Sequence, residues 1–323
     1  MKVCKMLCTA GVVAATALTP ISAVQAQDYP SRPLEWVVPF PAGGTMDPIV
    51  RMLAEAMHQD FGQPIIVDNK PGAGTRIGVN HVVRSKPDGH TAITVANSFT
   101  INPSLYPDLA YDTKKDLEAV ALLGATPNIL VGHSSLKPDT LQELVDYAKA
   151  NPGTLSYASF GVGTSAHLAG EMLKGAAGID LLHVPYKGGA PAMQDLLGGR
   201  VDLMIQNLPN VLQHLENGTL KAYGVTSLTR AELAPAIPTI AEQGYPDFTT
   251  NSWYGVLVPA GTDPSIITTL NKTINKGLEA KKAQLAKMGF EVMPGDPKQL
   301  ADLIDKDIAL NAQIVKESGI KIE

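Results

Sequence analysis

The stretch VVPFPAGGTMDP at residues 37–48 joins an apolar run to two glycines, a hydroxyl residue and a proline. This order predicts a buried strand, a turn and a helix that begins near Pro48, with Thr45 or Asp47 as its N-cap. The glycines let the backbone turn and approach a ligand, and the unpaired N–H groups of a helix start attract anions. Taken alone, the stretch is explained better by an ordinary strand–helix connection.

A second stretch, SYASFGVGTSAHL at residues 156–168, repeats the same order of strand, glycine-rich loop, hydroxyl residues and helix. It begins about 120 residues after the first stretch. If each stretch lies in its own lobe and the lobes face each other, both helix starts can converge on one anion. The pair therefore predicts a binding protein that closes on its ligand by hinge motion.

Strand-like and helix-like segments alternate along nearly all of the 323 residues, which predicts α/β layers around mostly parallel sheets. The length fits two lobes. We expect the chain to cross between them near residues 125–128 and 250–253, which gives lobe 1 residues 27–126 and 252–323 and lobe 2 residues 127–251. The predicted strands are 34–40, 64–68, 91–96, 119–123, 128–132, 156–159, 181–185, 203–206, 222–226 and 253–259, and the predicted helices are 48–61, 141–151, 166–176, 190–198, 265–286 and 297–318.

The N-terminus has the layout of a signal peptide over residues 1–26. Lys2 and Lys5 precede an apolar run at residues 6–18, and small residues lead to a cleavage site after Ala26. The run is shorter than the ~20 residues that a membrane-spanning helix needs. We therefore expect export to the periplasm.

Both cysteines, Cys4 and Cys8, lie in the predicted signal peptide, so the mature chain has no disulfide, thiolate nucleophile or cysteine metal site. Removing the two lysines of that segment leaves 24 basic residues against 31 acidic ones, a net charge of −7. This balance, without a basic run, argues against nucleic acid or an anionic membrane as a partner. The seven histidines form no H-x-x-x-H pair, so we expect no metal, and we expect no cofactor.

Two enzyme hypotheses deserve comparison with the binding hypothesis. The sequence GVGTSA at residues 161–166 fits the dinucleotide fingerprint, but the acidic Asp180 precedes the predicted strand 181–185 instead of ending it. Ser165 and His167 suggest a hydrolase, yet residues two apart on a helix point to different faces, and no third residue is placed to orient the imidazole. We therefore expect no catalytic residue.

A third glycine-rich turn, DNKPGAGTRIG at residues 68–78, precedes another helix. Arg76 within it could reach a ligand carboxylate, although an exposed arginine without a specific contact is the commoner case.

Taken together, the motifs resemble the substrate-binding proteins of tripartite tricarboxylate transporters, the Bug family, and they occur in order from about Tyr29 to the C-terminus. The resemblance implies a type II periplasmic-binding-protein fold, with a ligand cleft between two α/β lobes, and capture of small carboxylates for a membrane permease. The motifs are PFPAGGTMDP at 39–48, DNKPGAG at 68–74, KPDGHT at 86–91, INPSLY at 101–106, GVGTSAHLAGE at 161–171 and VPYKGGAPAMQDLLGG at 184–199.

In that family the loops matching residues 40–47 and 159–167 pinch one ligand carboxylate, and the segments matching 97–102 and 206–207 border the rest of the cleft. Because both pinching loops lack Arg and Lys, we expect backbone N–H groups near residues 43–45 and 163–165 to hold the carboxylate. The predicted ligand-binding residues are Phe40, Ala42, Gly43, Gly44, Thr45, Asp47, Arg76, Ser98, Phe99, Thr100, Ser159, Phe160, Gly163, Thr164, Ser165, His167 and Asn207.

The predicted site residues also indicate which class of ligand the protein binds. Arg76 is the only cation among them, and unpaired buried charge is costly, so we expect a mono- or dicarboxylate in preference to citrate. Family members often carry small residues where Phe99 and Phe160 stand. Two rings on opposite lobes would favour an aromatic acid, unless both rings pack inward.

Three roles are compatible with such a site: a transport protein, a sensor that presents its ligand to a membrane kinase, and an enzyme. The first two share every site residue, and a neighbouring permease or kinase gene would separate them. The enzyme would need a nucleophile or a metal. We expect a monomer that closes without changing its oligomeric state.

Overall fold

The computed structural model describes residues 29–318, so the predicted signal peptide lies outside the described residues. No helix within this range is both long and apolar enough to cross a membrane. The strands are β1 (Leu34–Val38), β2 (Ile65–Asn69), β3 (Thr91–Val95), β4 (Leu117–His133), β5 (Ser156–Ser159), β6 (Leu182–Pro185), β7 (Leu203–Asn207), β8 (Leu220–Val225), β9 (Asn251–Pro259) and β10 (Glu291–Val292). The helices are α1 (Met46–Phe61), α2 (Arg76–Val83), α3 (Asn97–Leu105), α4 (Leu141–Ala150), α5 (Ser165–Ala177), α6 (Gly189–Leu197), α7 (Leu212–Glu216), α8 (Pro264–Lys287) and α9 (Pro297–Ser318).

Lobe 1 is built on a sheet in which β2, β1 and β3 are parallel and β9 and β4 continue the sheet antiparallel. Helix α1 buries Ile49, Leu53 and Met57, which lie four residues apart and so share one face against this sheet. Helix α8 packs against α1, and α9 packs against α3. Both C-terminal helices therefore lie on lobe 1.

Lobe 2 is built on a second sheet, in which β4 pairs antiparallel with β7 and β8, and β5 lies parallel between β7 and β6. Leu144 of α4 and Leu173 of α5 are buried in one core of this lobe. Leu196 of α6 is buried in another. Each lobe thus carries its own buried apolar core.

Strand β4 belongs to both sheets. It pairs with β9 over residues 117–127 and with β7 over residues 128–132. The sequence predicts two separate strands here, at 119–123 and 128–132. That prediction is wrong, because residues 117–133 form one continuous strand, in which Thr126 and Asn128 are fully buried. The lobe boundaries at residues 126 and 251 stay predictions.

Helix α3 was not among the predicted helices; the family resemblance only placed residues 97–102 along the cleft. It is a nine-residue helix that contains Pro103 and has no side-chain cap. Contacts with distant residues hold it: Thr100 donates to the Asp307 carboxylate on α9 at 2.5 Å, and Asn102 donates to the Gly74 carbonyl at 2.9 Å. Local sequence cannot show such partners.

Candidate ligand-binding site

A cavity of about 310 Å³ lies between the two lobes, a volume at the lower end of the range typical of small-molecule sites. Both lobes contribute to its wall, and part of the contribution of lobe 1 comes from β9. Lobe 1 provides Phe40, Pro41, Ala42, Gly43, Gly44, Thr45, Met46, Ala96, Asn97 and Ser98, lobe 2 provides Phe160, Thr164, Ser165, Lys187, Gly188, Gly189, Ala190, Pro191, Met193, Gln206, Asn207 and Asn210, and β9 provides Ser252 and Tyr254.

The first loop, residues 39–45, is held from behind by the buried Asp47 carboxylate. Asp47 accepts hydrogen bonds from the Gly43 N–H, the Arg51 guanidinium and the Asn69 amide, each at 3.0 Å. Burial raises the pKa of Asp47, but these hydrogen bonds outweigh it, so the pKa lies below its usual value. Gly43, at φ +77°, is in the left-handed region that glycine adopts without strain. Its N–H group is already used by Asp47.

The second loop, residues 160–164, is held by its own helix. The Thr164 hydroxyl accepts from the His167 N–H at 3.5 Å and donates to the Gly161 carbonyl at 2.7 Å, so it caps α5. The Gly163 N–H donates to His167 Nδ1 at 3.2 Å. The Thr164 hydroxyl and the Gly163 amide therefore position the loop, and a ligand needs other donors.

Those donors are the first N–H groups of α1 and α5. Within the described chain, the N–H groups of Met46, Ser165 and Ala166 make no hydrogen bond to the protein. Met46 and Ser165 line the cavity from opposite lobes. Helix starts of this kind carry partial positive charge and bind carboxylates. The site thus offers an anion two sets of unpaired donors.

Direct hydrogen bonds join the two lobes at the edge of the cavity. The Thr45 hydroxyl donates to Asn207 Oδ1 at 3.0 Å and accepts from the Asn210 amide at 3.0 Å. The Asn207 amide in turn donates to Ser252 Oγ at 2.8 Å, and Ser252 lies 2.7 Å from Ser165 Oγ. The lobes are therefore in contact around the cavity.

The predicted site residues divide into three groups. Whether any of them binds ligand stays a prediction. Phe40, Ala42, Gly43, Gly44, Thr45, Ser98, Phe160, Thr164, Ser165 and Asn207 line the cavity; Asp47, Ser159, Gly163 and His167 lie behind its loops; and Arg76, Phe99 and Thr100 lie elsewhere.

The structure places the last three away from the cavity, which corrects their expected positions. The Arg76 guanidinium lies over the Tyr106 ring, with its carbon 3.6 Å from the ring centroid, where a cation–π contact holds it. Phe99 is 1% exposed and stacks on Tyr111 with centroids 6.1 Å apart. Thr100 is fully buried against Asp307, as described above. Of the two alternatives for the rings, inward packing therefore holds for Phe99, whereas Phe160 lines the cavity.

Sequence reasoning missed Lys187, the cation that does line the cavity. It belongs to the motif VPYKGG at residues 184–189 and follows β6, as the two predicted loops follow β1 and β5. The carboxyl ends of parallel strands are where α/β proteins bind ligands, and that position was the available signal. In the part of the chain that the structure describes, no three His, Cys, Asp or Glu residues are placed to hold a metal ion.

Comparisons with known proteins agree with this architecture. A family model described as "Tripartite tricarboxylate transporter family receptor" matches residues 49–320. The structure of periplasmic binding protein BugD is 37% identical, with a TM-score of 0.85, over 91% of this chain and 100% of that one.

Two further solved structures contain ligands. Rpa4515 of R. palustris with adipate is 34% identical, with a TM-score of 0.86, over 91% of this chain and 99% of that one. MatC from Rhodopseudomonas palustris with bound malate is 32% identical, with a TM-score of 0.83, over 89% of this chain and 100% of that one.

These matches confirm the resemblance drawn from the sequence motifs and the predicted type II fold of two lobes around a cleft. They also confirm that the protein is a binding component and not an enzyme. The chain belongs to the tripartite tricarboxylate transporter receptor family, a family of periplasmic solute-binding proteins.

Proposed function

We propose that this protein is exported by its N-terminal signal peptide, captures a small mono- or dicarboxylate between its lobes as a monomer, and delivers it to the permease of a tripartite tricarboxylate transporter. The observation that carries the proposal is the pair of unpaired helix starts, α1 on lobe 1 and α5 on lobe 2, on one cavity. A single carboxylate group can accept from both.

The charge on the rest of the cavity wall limits how many carboxylate groups the ligand can carry. Among the described residues that line it, Lys187 is the one full positive charge. A first carboxylate at the helix starts and a second near Lys187 would both be compensated, whereas a third would be left without a cation. Adipate in Rpa4515 and malate in MatC, both dicarboxylates, support this class of ligand. Phe40 and Phe160 also line the wall, so an aromatic acid remains within the proposal.

We expect calorimetric titration to show binding of adipate or another mono- or dicarboxylate at least about tenfold tighter than citrate, a difference of about 1.4 kcal/mol. The panel should include malate and benzoate and be run at pH 7.5, where the carboxyl groups of adipate, malate and benzoate are ionised. Citrate as the tightest ligand would contradict the charge argument, and no binding of any acid would contradict the proposed function.

Delivery to a permease needs a separate experiment in cells. Deleting the gene should abolish uptake of the radiolabelled acid, and a plasmid copy should restore it. Normal uptake, together with loss of a transcriptional response to the acid, would identify the protein as a sensor instead.

A further inference from the structure

A stack of three rings lies beneath the second loop. His167 of α5 and His183 of β6 are nearly parallel, with ring centroids 4.1 Å apart and an interplanar angle of 12°. Tyr157 of β5 also stacks on His183, with centroids 4.7 Å apart. His167 is buried and His183 is partly buried. The proposed function gives these histidines no role.

Both imidazoles are hydrogen-bonded to the loop or its base. His167 Nδ1 faces the Gly163 N–H at 3.2 Å, and because a backbone N–H only donates, Nδ1 must be the unprotonated nitrogen. His183 Nε2 lies 2.8 Å from Ser159 Oγ, which also accepts from the Gly161 N–H at 3.3 Å. The backbone on either side of the loop is thus tied to the two rings.

The charged groups around the stack are already engaged with other partners. The Glu171 carboxylate accepts from the Tyr157 hydroxyl at 2.7 Å and pairs with Lys174 at 3.1 Å. No carboxylate in the described chain forms a hydrogen bond with either imidazole. Burial lowers the pKa of His167 to about 4, although Glu171 opposes the shift. Burial and the neighbouring His167 lower the pKa of His183 to about 3.

We propose that His167 and His183 are positioning residues for the second loop, which keeps its ligand-binding shape only while both rings are uncharged, so that acid opens the loop and releases the ligand. Opening of the loop follows from the contacts described above, and release of the ligand rests on the proposed function.

The loop opens in acid because protonation of His167 at Nδ1 removes a hydrogen bond that holds the loop. A proton added to His167 at Nδ1 would point at the Gly163 N–H, so two donors would face each other and the hydrogen bond would be lost. The charge would also lie against the neighbouring ring, His183, and the nearby Glu171 carboxylate is already bonded to Tyr157 and Lys174. Opening the loop removes both penalties, because the histidines can then be solvated.

The direction of the pH effect follows from proton counting. In the open loop each histidine titrates near its usual pKa of about 6.5, whereas in the closed loop it titrates lower. Between these values the open form holds more protons, so acidification favours opening, by up to roughly tenfold per pH unit for each proton taken up. The closed loop is therefore most stable above about pH 6.5, and its stability decreases as the pH falls toward 4.

Hydrogen exchange of the Gly163 amide in the full-length mature protein measures this opening directly. After correction for the intrinsic exchange rate, we expect its opening constant to rise by roughly tenfold for each of the two histidines, and so by up to about a hundredfold, from pH 5.5 to pH 4.5. The His167→Asn variant keeps an acceptor near the position of Nδ1 but does not titrate there, so only His183 takes up a proton and the rise should be about tenfold. His58→Asn, an exposed histidine on α1, is the matched control and should keep the wild-type slope.

A flat wild-type profile, or an equal slope in His167→Asn, would overturn the proposal. Should that variant not fold, the ring Cε1–H signals of the wild type decide instead: His167 titrating near pH 6.5 while the Gly163 amide stays protected also overturns it.

Adipate serves as the probe for the link to binding. The ratio of the variant's dissociation constant to that of the wild type should fall as the pH falls, and this ratio cancels the titration of adipate itself. If adipate binds neither protein at pH 7.5, the proposed ligand class fails, whereas the exchange profile still tests the loop.

Discussion

Replacing Ala190 with tryptophan is expected to weaken ligand binding at least about a hundredfold, equivalent to about 2.7 kcal/mol, while leaving the fold intact. Ala190 lies in the first turn of α6, where it is exposed and lines the cavity. An indole there would occupy much of a cavity of about 310 Å³ and keep the lobes from closing around a ligand. Calorimetry with adipate measures the loss, and a thermal melt checks the fold.

Ala150→Trp is the matched control for this experiment. Ala150 is also exposed and lies on lobe 2, at the end of α4, where it does not line the cavity. It should bind adipate with the wild-type affinity. Wild-type affinity in Ala190→Trp would place the ligand outside this cavity, whatever the control shows.

Replacing Gly170 with alanine is expected to destabilise the protein by about 1–3 kcal/mol through overpacking. A Cβ atom at Gly170 would lie 2.2 Å from Cε2 of Tyr157, which no real contact allows. The ring has little room to move, because it stacks on His183 and its hydroxyl bonds to Glu171. Urea unfolding measures the change.

The same helix provides the control for that substitution. Gly175 also lies in α5, but no atom is within 4 Å of the position its Cβ would take. Alanine has the higher helix propensity, so Gly175→Ala should leave stability unchanged or raise it by up to about 1 kcal/mol. Equal effects of the two substitutions would mean that the packing of Tyr157 is not the cause.

Local sequence predicts the parts of the fold that local chemistry determines. The two strand–loop–helix units follow from glycines, cap residues and a proline within a dozen positions, and Thr164 does cap α5. Strand β4 was predicted as two pieces, 119–123 and 128–132, with the chain crossing between the lobes near residues 125–128. Thr126 and Asn128 lie in that region. They are polar yet buried, and the partners of Asn128 come from residues such as Asn207, 79 positions away.

The candidate site, too, could be predicted from the sequence only in part. The sequence identifies the loops that reach the cavity, but side-chain direction depends on distant partners. Phe99 turns inward because α3 packs it against Tyr111, and Arg76 lies on Tyr106. Lys187 reaches the cavity only because β6 lies beside β5 in the second sheet. No pattern within a single segment carries that information.

The most direct test of the central claim, that the two helix starts hold one carboxylate, is a crystal structure of the complex with adipate. We expect one carboxylate group to lie about 3 Å from N–H groups at the starts of both helices, those of Met46 on α1 and of Ser165 or Ala166 on α5. Adipate held by Lys187 alone, with the N–H groups of both helix starts bonded to other partners or facing away from it, would contradict this account.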